Sequence, residues 1–144
     1  VSDVSEISPA ELVMDVLTRL GEPGFAPGGI VVGPLTDVQQ QAGGVSLVQA
    51  GLPNVEKYAP VVWMRAQARC MAATLELSDK LGQAVQRNLH NLPNRVVARM
   101  ASTDKKYLIH LSAVTAGPSQ HYDSPETWES LVFAELMIGT QPIN

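Results

Sequence analysis

Two stretches of the chain alternate with period two, "VVWMRAQARCM" (61–71) and "TWESLVFAELMIG" (127–139). Successive side chains of a strand point to opposite faces, so the alternation assigns every residue to a face. In the first stretch Val62, Met64, Ala66, Ala68 and Cys70 share an apolar face, and Arg65, Gln67 and Arg69 share a polar one. In the second, Trp128, Ser130, Val132, Ala134, Leu136 and Ile138 read as core. The other face should then be polar, and Glu129 and Glu135 are. Leu131, Phe133 and Met137 are not, and Val61 and Trp63 interrupt the polar face of the first stretch in the same way. Two such strands commit the chain to a sheet with one core face. They also raise the question of what covers the second.

The remaining elements answer only for the first face. "SPAELVMDVLTRLG" reads as a helix: Ser8 is the N-cap, Pro9 the first helical residue, and Glu11 completes a capping box. Leu12, Val13, Val16, Leu17 and Leu20 form one stripe, and Gly21 ends it. Residues 1–7 are expected to be a loose arm. "GEPGFAPGG" is a loop, "IVVGPL" and "VSLVQAG" are short strands, and "TDVQQQAGG" (36–44) reads as loop with at most one helical turn. Thr74 caps a second helix running to about His90, with Leu77, Leu81, Ala84, Val85 and Leu89 on one face, and Asn91-Leu-Pro93 stops it. "RVVARMAS" and "YLIHLSAVT" form a hairpin over "TDKK", and a loop at 116–126, "AGPSQHYDSPE", leads to the last strand.

The expected fold is a single α+β domain: a mixed, mainly antiparallel sheet with two amphipathic helices on one face. Each helix has one apolar stripe, and both stripes can be satisfied on the same sheet face, which leaves the other face without a cover from within the chain. Burying one large apolar side chain contributes about 1.5–3 kcal/mol. Trp63, Leu131, Phe133 and Met137 together form a patch of the kind that marks an interface. They are the predicted subunit-interface residues, with His121 and Asp123 of the 116–126 loop as a second set.

Charge excludes some functions. The chain carries 10 Lys and Arg against 14 Asp and Glu, a net −4. No basic stripe runs along it, so specific nucleic-acid binding is not expected. Charged residues are 17% of the chain, against about 25% in an average domain. That shortage suits a surface partly occupied by other chains. No apolar run approaches the roughly 18 residues of a membrane span. The opening "VSDVSEIS" is polar and acidic, which points to synthesis in the cytoplasm.

The residues able to do chemistry do not converge. Cys70 is the single cysteine and lies on the apolar face, so it reads as core packing, with a reactive thiol as the alternative. His121-Tyr122-Asp123 offers a His-x-Asp pair that can ligate a metal or contact a partner, but no second pair completes a site. Ser112 lacks the glycines of a nucleophile elbow, and the glycines at 21, 24, 28 and 29 precede a strand with no Gly-Lys-Ser/Thr. Glu129 and Glu135 stand six residues apart, about 20 Å along a strand, too far for paired acid/base work. With Glu126 they read as solvated or interface charges. Trp63 and Trp128 read as core or interface rather than ligand stacking. No cofactor, metal or catalytic residue is expected.

The order of elements resembles the tail terminator proteins of long-tailed bacteriophages, also labelled minor capsid or minor tail proteins. The likeness covers roughly residues 8–138. It rests on the capped first helix, on "SLVQAGLP", and on the unit at 60–91 in which "VVWMRAQARC" runs into "TLELSDKLGQAVQRNLH", with Arg65 and Arg69 on the strand's polar face. The closing hairpin and a long last strand with a central aromatic complete it. The resemblance implies a structural virion protein without enzymatic activity. It would form a homohexameric ring on the tail tube, stop the growth of the tube, and meet the major tail tube protein and the head completion or connector proteins. DNA would pass through the lumen without specific binding. Six copies at −4 each carry about −24, which discourages DNA from sticking. The alternatives are another neck protein, such as a head-closure or connector component, and a small cytoplasmic ligand-binding domain or enzyme using Cys70 or the His121/Asp123 loop.

Overall fold

The computed structural model describes residues 4–20, 29–90, 92, 95–124 and 127–143, with residues 4, 20 and 118–124 given by their backbone. The central strand is β4 (Val61–Ala72). On one side it pairs antiparallel with β2 (Gly44–Gln49) and β3 (Asn54–Val55), and on the other with β7 (Thr127–Gly139). β7 continues antiparallel to β6 (Lys106–Ser124), and β6 to β5 (Val96–Arg99). β1 (Ile30–Val32) pairs parallel with β2 at the other edge. The order β1-β2-β4-β7-β6-β5, with β3 beside β4, is a mixed and mainly antiparallel sheet.

Register explains the core. Val62 lies opposite Ile138, Met64 opposite Leu136, Ala66 opposite Ala134, Ala68 opposite Val132 and Cys70 opposite Ser130. Residues directly opposite share a face, so the apolar alternations of β4 and β7 merge. On that face pack α1 (Pro9–Leu20), through Leu12, Val13, Val16 and Leu17, and α3 (Leu75–His90), through Leu81, Val85 and Leu89. The α+β class and the placing of two amphipathic helices on one face are as the sequence implies.

The helix starts are fixed by caps, with one correction. Thr74 Oγ1 accepts from Leu77 N at 3.2 Å, as expected for α3, and Ser78 Oγ donates to Cys70 O at 2.9 Å to lock the helix onto β4. Ser8 Oγ accepts from Glu11 N at 3.3 Å. The Glu11 carboxylate does not turn back to close a box. It accepts from Ser102 N and Ser102 Oγ, both at 2.9 Å, and so ties α1 to the β5–β6 turn.

Three other expectations change. The arm expected at 1–7 is anchored from Val4 on: Val4–Glu6 form a short turn of tight helix, and Ile7 is 3% exposed. Ile7 precedes the cap and joins the same core cluster as Leu12, the pairing of a hydrophobic staple. Lys105 Nζ reaches Glu6 at 2.9 Å. The stretch read as loop at 36–44 holds α2 (Asp37–Ala42), whose Thr36 and Gln39 form a full capping box. The loop expected at 116–126 is strand as far as Ser124, because β6 and β7 stay paired, through several bulges, from Ile109↔Ile138 to Ser124↔Thr127. The loop at 21–28, the helix stop at Asn91 and Pro93, and Glu126 lie outside the described residues.

Candidate functional site

The second sheet face is built as cross-strand rows. Leu111, Met137, Trp63 and Asn54 align across β6, β7, β4 and β3. The next row holds Ala113, Glu135 and Arg65, and the third Ala116, Phe133, Gln67 and Val48. Leu131 then stands opposite Arg69, and Glu129 opposite Met71. Apolar, charged and apolar rows therefore succeed one another down the face.

Exposure grades along it. Trp63, Leu131, Phe133 and Met137 are half-buried by their neighbours in the sheet, and Leu111 is 45% exposed. Both long helices contribute to the core on the opposite face. The Trp63 indole Nε1 donates to Glu56 Oε1 at 3.1 Å, which fixes the ring at the end of the row. Arg65 and Glu135 are directly opposed, yet neither makes an ion pair among the described residues.

The other end of the face is closed by the chain itself. Leu35 is buried over Gly44, so close that a side chain there would collide with it. Gly44 lies opposite Met71, which is also buried. Glu129 is 6% exposed and held by Arg69, whose Nε donates at 3.1 Å and whose Nη2 donates to the same Oε2. This corrects the reading of Glu129 as a solvated or interface charge: it is a buried carboxylate paired with the Arg69 guanidinium. Glu135, six residues on, is partly buried on the same face.

Of the predicted interface residues, Trp63, Leu131, Phe133 and Met137 come together on one face. His121 and Asp123 do not lie in a loop. Both belong to β6, with the His121 backbone in register with Glu129, at the closed end rather than beside Met137. Cys70 is buried in the core; burial pushes its thiol pKa up and the nearby charge of Glu129 adds to this, so the thiolate form is suppressed. Among the described residues no group of three His, Cys, Asp or Glu is placed to hold a metal ion. No helix among them is long and apolar enough to cross a membrane.

Several exposed apolar residues were not anticipated. Leu111 extends the first row onto β6. Leu52 and Tyr58, each 92% exposed, and Val55, 54% exposed, stand on the segment around β3, beside Trp63. The signal for them was local: apolar side chains inside the turn-forming stretch "AGLPNVEKYAP", where solvent-facing positions are normally polar. A shallow groove of about 250 Å³ lies elsewhere, lined by Asp15, Arg19, Val97, Arg99 and Lys106. Its charges are mostly spent internally. Arg19 pairs with Asp15 at 3.1 Å and also donates to Val97 O, and Asp15 accepts from Arg99 N at 2.9 Å.

The outer face thus presents apolar rows on either side of a pair of opposite charges. No family model matches the chain, and no curated protein matches it.

Proposed function

We propose that the chain is a non-enzymatic, ring-forming virion protein: a tail terminator that caps the tail tube of a long-tailed phage, stops its polymerisation and joins it to the head-completion or connector proteins. The observation that carries this reading is the outer sheet face, where Trp63, Leu131, Phe133 and Met137 gather, each only partly buried, with Leu111 exposed beside them. A neighbouring subunit in a six-membered ring supplies the missing cover. Leu52 and Tyr58, on the segment around β3, add exposed apolar area near that face. The net charge of −4 per chain suits a lumen that DNA crosses without binding. Termination follows from asymmetry: one ring surface matches the last ring of the tube, and the other does not accept a further tube subunit.

Negative-stain imaging of the protein alone and mixed with tail tubes tests the proposal. Rings, or tubes capped at one end and arrested in length, are the expected result. Tubes that keep growing, with no ring at either end, would refute it. Rings seated away from the tube, at the head vertex, would point to a connector instead.

A further inference from the structure

The outer face carries a pattern that specifies a partner. Arg65 and Glu135 lie side by side at its centre, opposed in register, and neither is ion-paired among the described residues. An apolar row lies on each side of them: Leu111, Met137 and Trp63 above, and Phe133 with Val48 and Ala116 below. We propose that, away from its assembly partners, the chain pairs with a second copy of itself through this face. The two-fold axis would run between β4 and β7, parallel to the strands. The inference rests on the reading of this face as a docking surface and not on the virion role.

Charge selects that axis. A half-turn about a line parallel to the strands and midway between β4 and β7 exchanges the two strands. Arg65 then stands over the partner's Glu135, and Glu135 over the partner's Arg65. Trp63 meets the partner's Met137, and the Gln67 side chain lies over the partner's Phe133, so every row meets itself and the first row makes an apolar contact at its centre. A half-turn about a line along the rows would set Arg65 on its own copy and Glu135 on its own copy. Like charges brought together at an interface cost several kcal/mol, so that arrangement is rejected. An isologous contact needs one self-complementary patch, which these rows provide.

The size of the patch sets its strength. From position 63 to 69 the rows span roughly 20 Å at about 3.3 Å per residue, and four strands at about 4.8 Å span about 19 Å. The footprint is on the order of 400 Å², well under the roughly 800 Å² per partner of a stable complex. The pair is therefore reversible and forms at high concentration. It shields the apolar rows of the free subunit and yields to larger assemblies.

Sedimentation velocity across a concentration series, from micromolar to near-millimolar, provides the test. The mass of the wild-type protein is expected to rise from 15.4 kDa towards twice that value. Arg65→Glu and Glu135→Arg each place like charges at both contacts and are expected to weaken pairing by about a hundredfold. An equimolar mixture of the two variants should regain it, because each mixed pair has opposite charges at both positions. Circular dichroism and the thermal midpoint establish that the variants are folded. Should a reversal unfold the chain, Arg65→Gln and Glu135→Gln, expected to weaken pairing by about tenfold, take its place. A monomer at every concentration, single variants that pair like wild type, or a mixture that stays monomeric would overturn the proposal. A six-subunit mass in place of two would also overturn it while leaving the ring reading intact. A pair with the expected charge dependence, alongside uncapped tubes, would sustain this inference and defeat the virion reading.

Discussion

At the scale of single residues, Arg69 and Glu129 are the pair whose roles differ most from their places in the sequence pattern. Alternation puts both on the face opposite the core, where charges are normally wet. The structure keeps Glu129 nearly dry and spends two Arg69 donors on one of its oxygens. A buried ion pair is costly to break from one side, because the remaining charge is left without compensation. The Arg69 side chain is 41% exposed, which moderates the effect. Arg69→Met is expected to destabilise the fold by about 2–3 kcal/mol, read from urea denaturation, and Arg69→Met combined with Glu129→Leu to recover most of that loss. A double variant no better than the single one would show that the pair is not the unit. Cys70 illustrates the opposite case, a residue whose environment was legible. It alternates in phase with Val62 and Ala68, and it is buried with them.

At the scale of elements, the legible features were those written as period and cap. The faces of β4 and β7, the stripes of α1 and α3, and the β5–β6 hairpin all follow from side-chain spacing. α2 escaped because its six residues show no periodicity, although Thr36 and Gln39 carry the capping box that starts it. The continuation of β6 escaped because Gly117 and Pro118 are residues that usually end a strand. Here the strand bends instead. Gly117 takes φ +90°, with its Cα so close to Leu131 O that a Cβ would overlap that oxygen, and the register shifts on both sides of Ala116. Gly117→Ala is expected to destabilise by at least about 2 kcal/mol, measured by thermal denaturation, since both the positive φ and the close approach exclude a side chain. An unchanged midpoint would show that the bulge is not needed. The sheet edges follow the same logic of protection. Along β5, Arg19 and Asp15 of α1 occupy Val97 O and Arg99 N. Further along β6, His90 Nδ1 accepts from Val114 N at 3.3 Å. Side chains thus occupy backbone groups that another chain's strand would otherwise use.

At the scale of the whole molecule, one layer of helices covers one face of the sheet and leaves the other partly bare. That much was expected from the sequence, by placing both amphipathic stripes on the same face. The closing of the 71/129 end by Leu35 was not, since it depends on how the α2 segment returns over Gly44. The open end is where Trp63, Phe133 and Met137 gather. Another subunit is expected to cover them. Hydroxyl-radical footprinting read by mass spectrometry measures this directly, because Trp and Met side chains react readily when wet. Tyr58, 92% exposed on the neighbouring segment, reports the radical dose in the dilute state. Trp63 and Met137 are expected to be labelled in dilute protein and protected several-fold once it is concentrated or assembled on tail tubes. Equal labelling of Trp63 and Met137 in every state would contradict that cover.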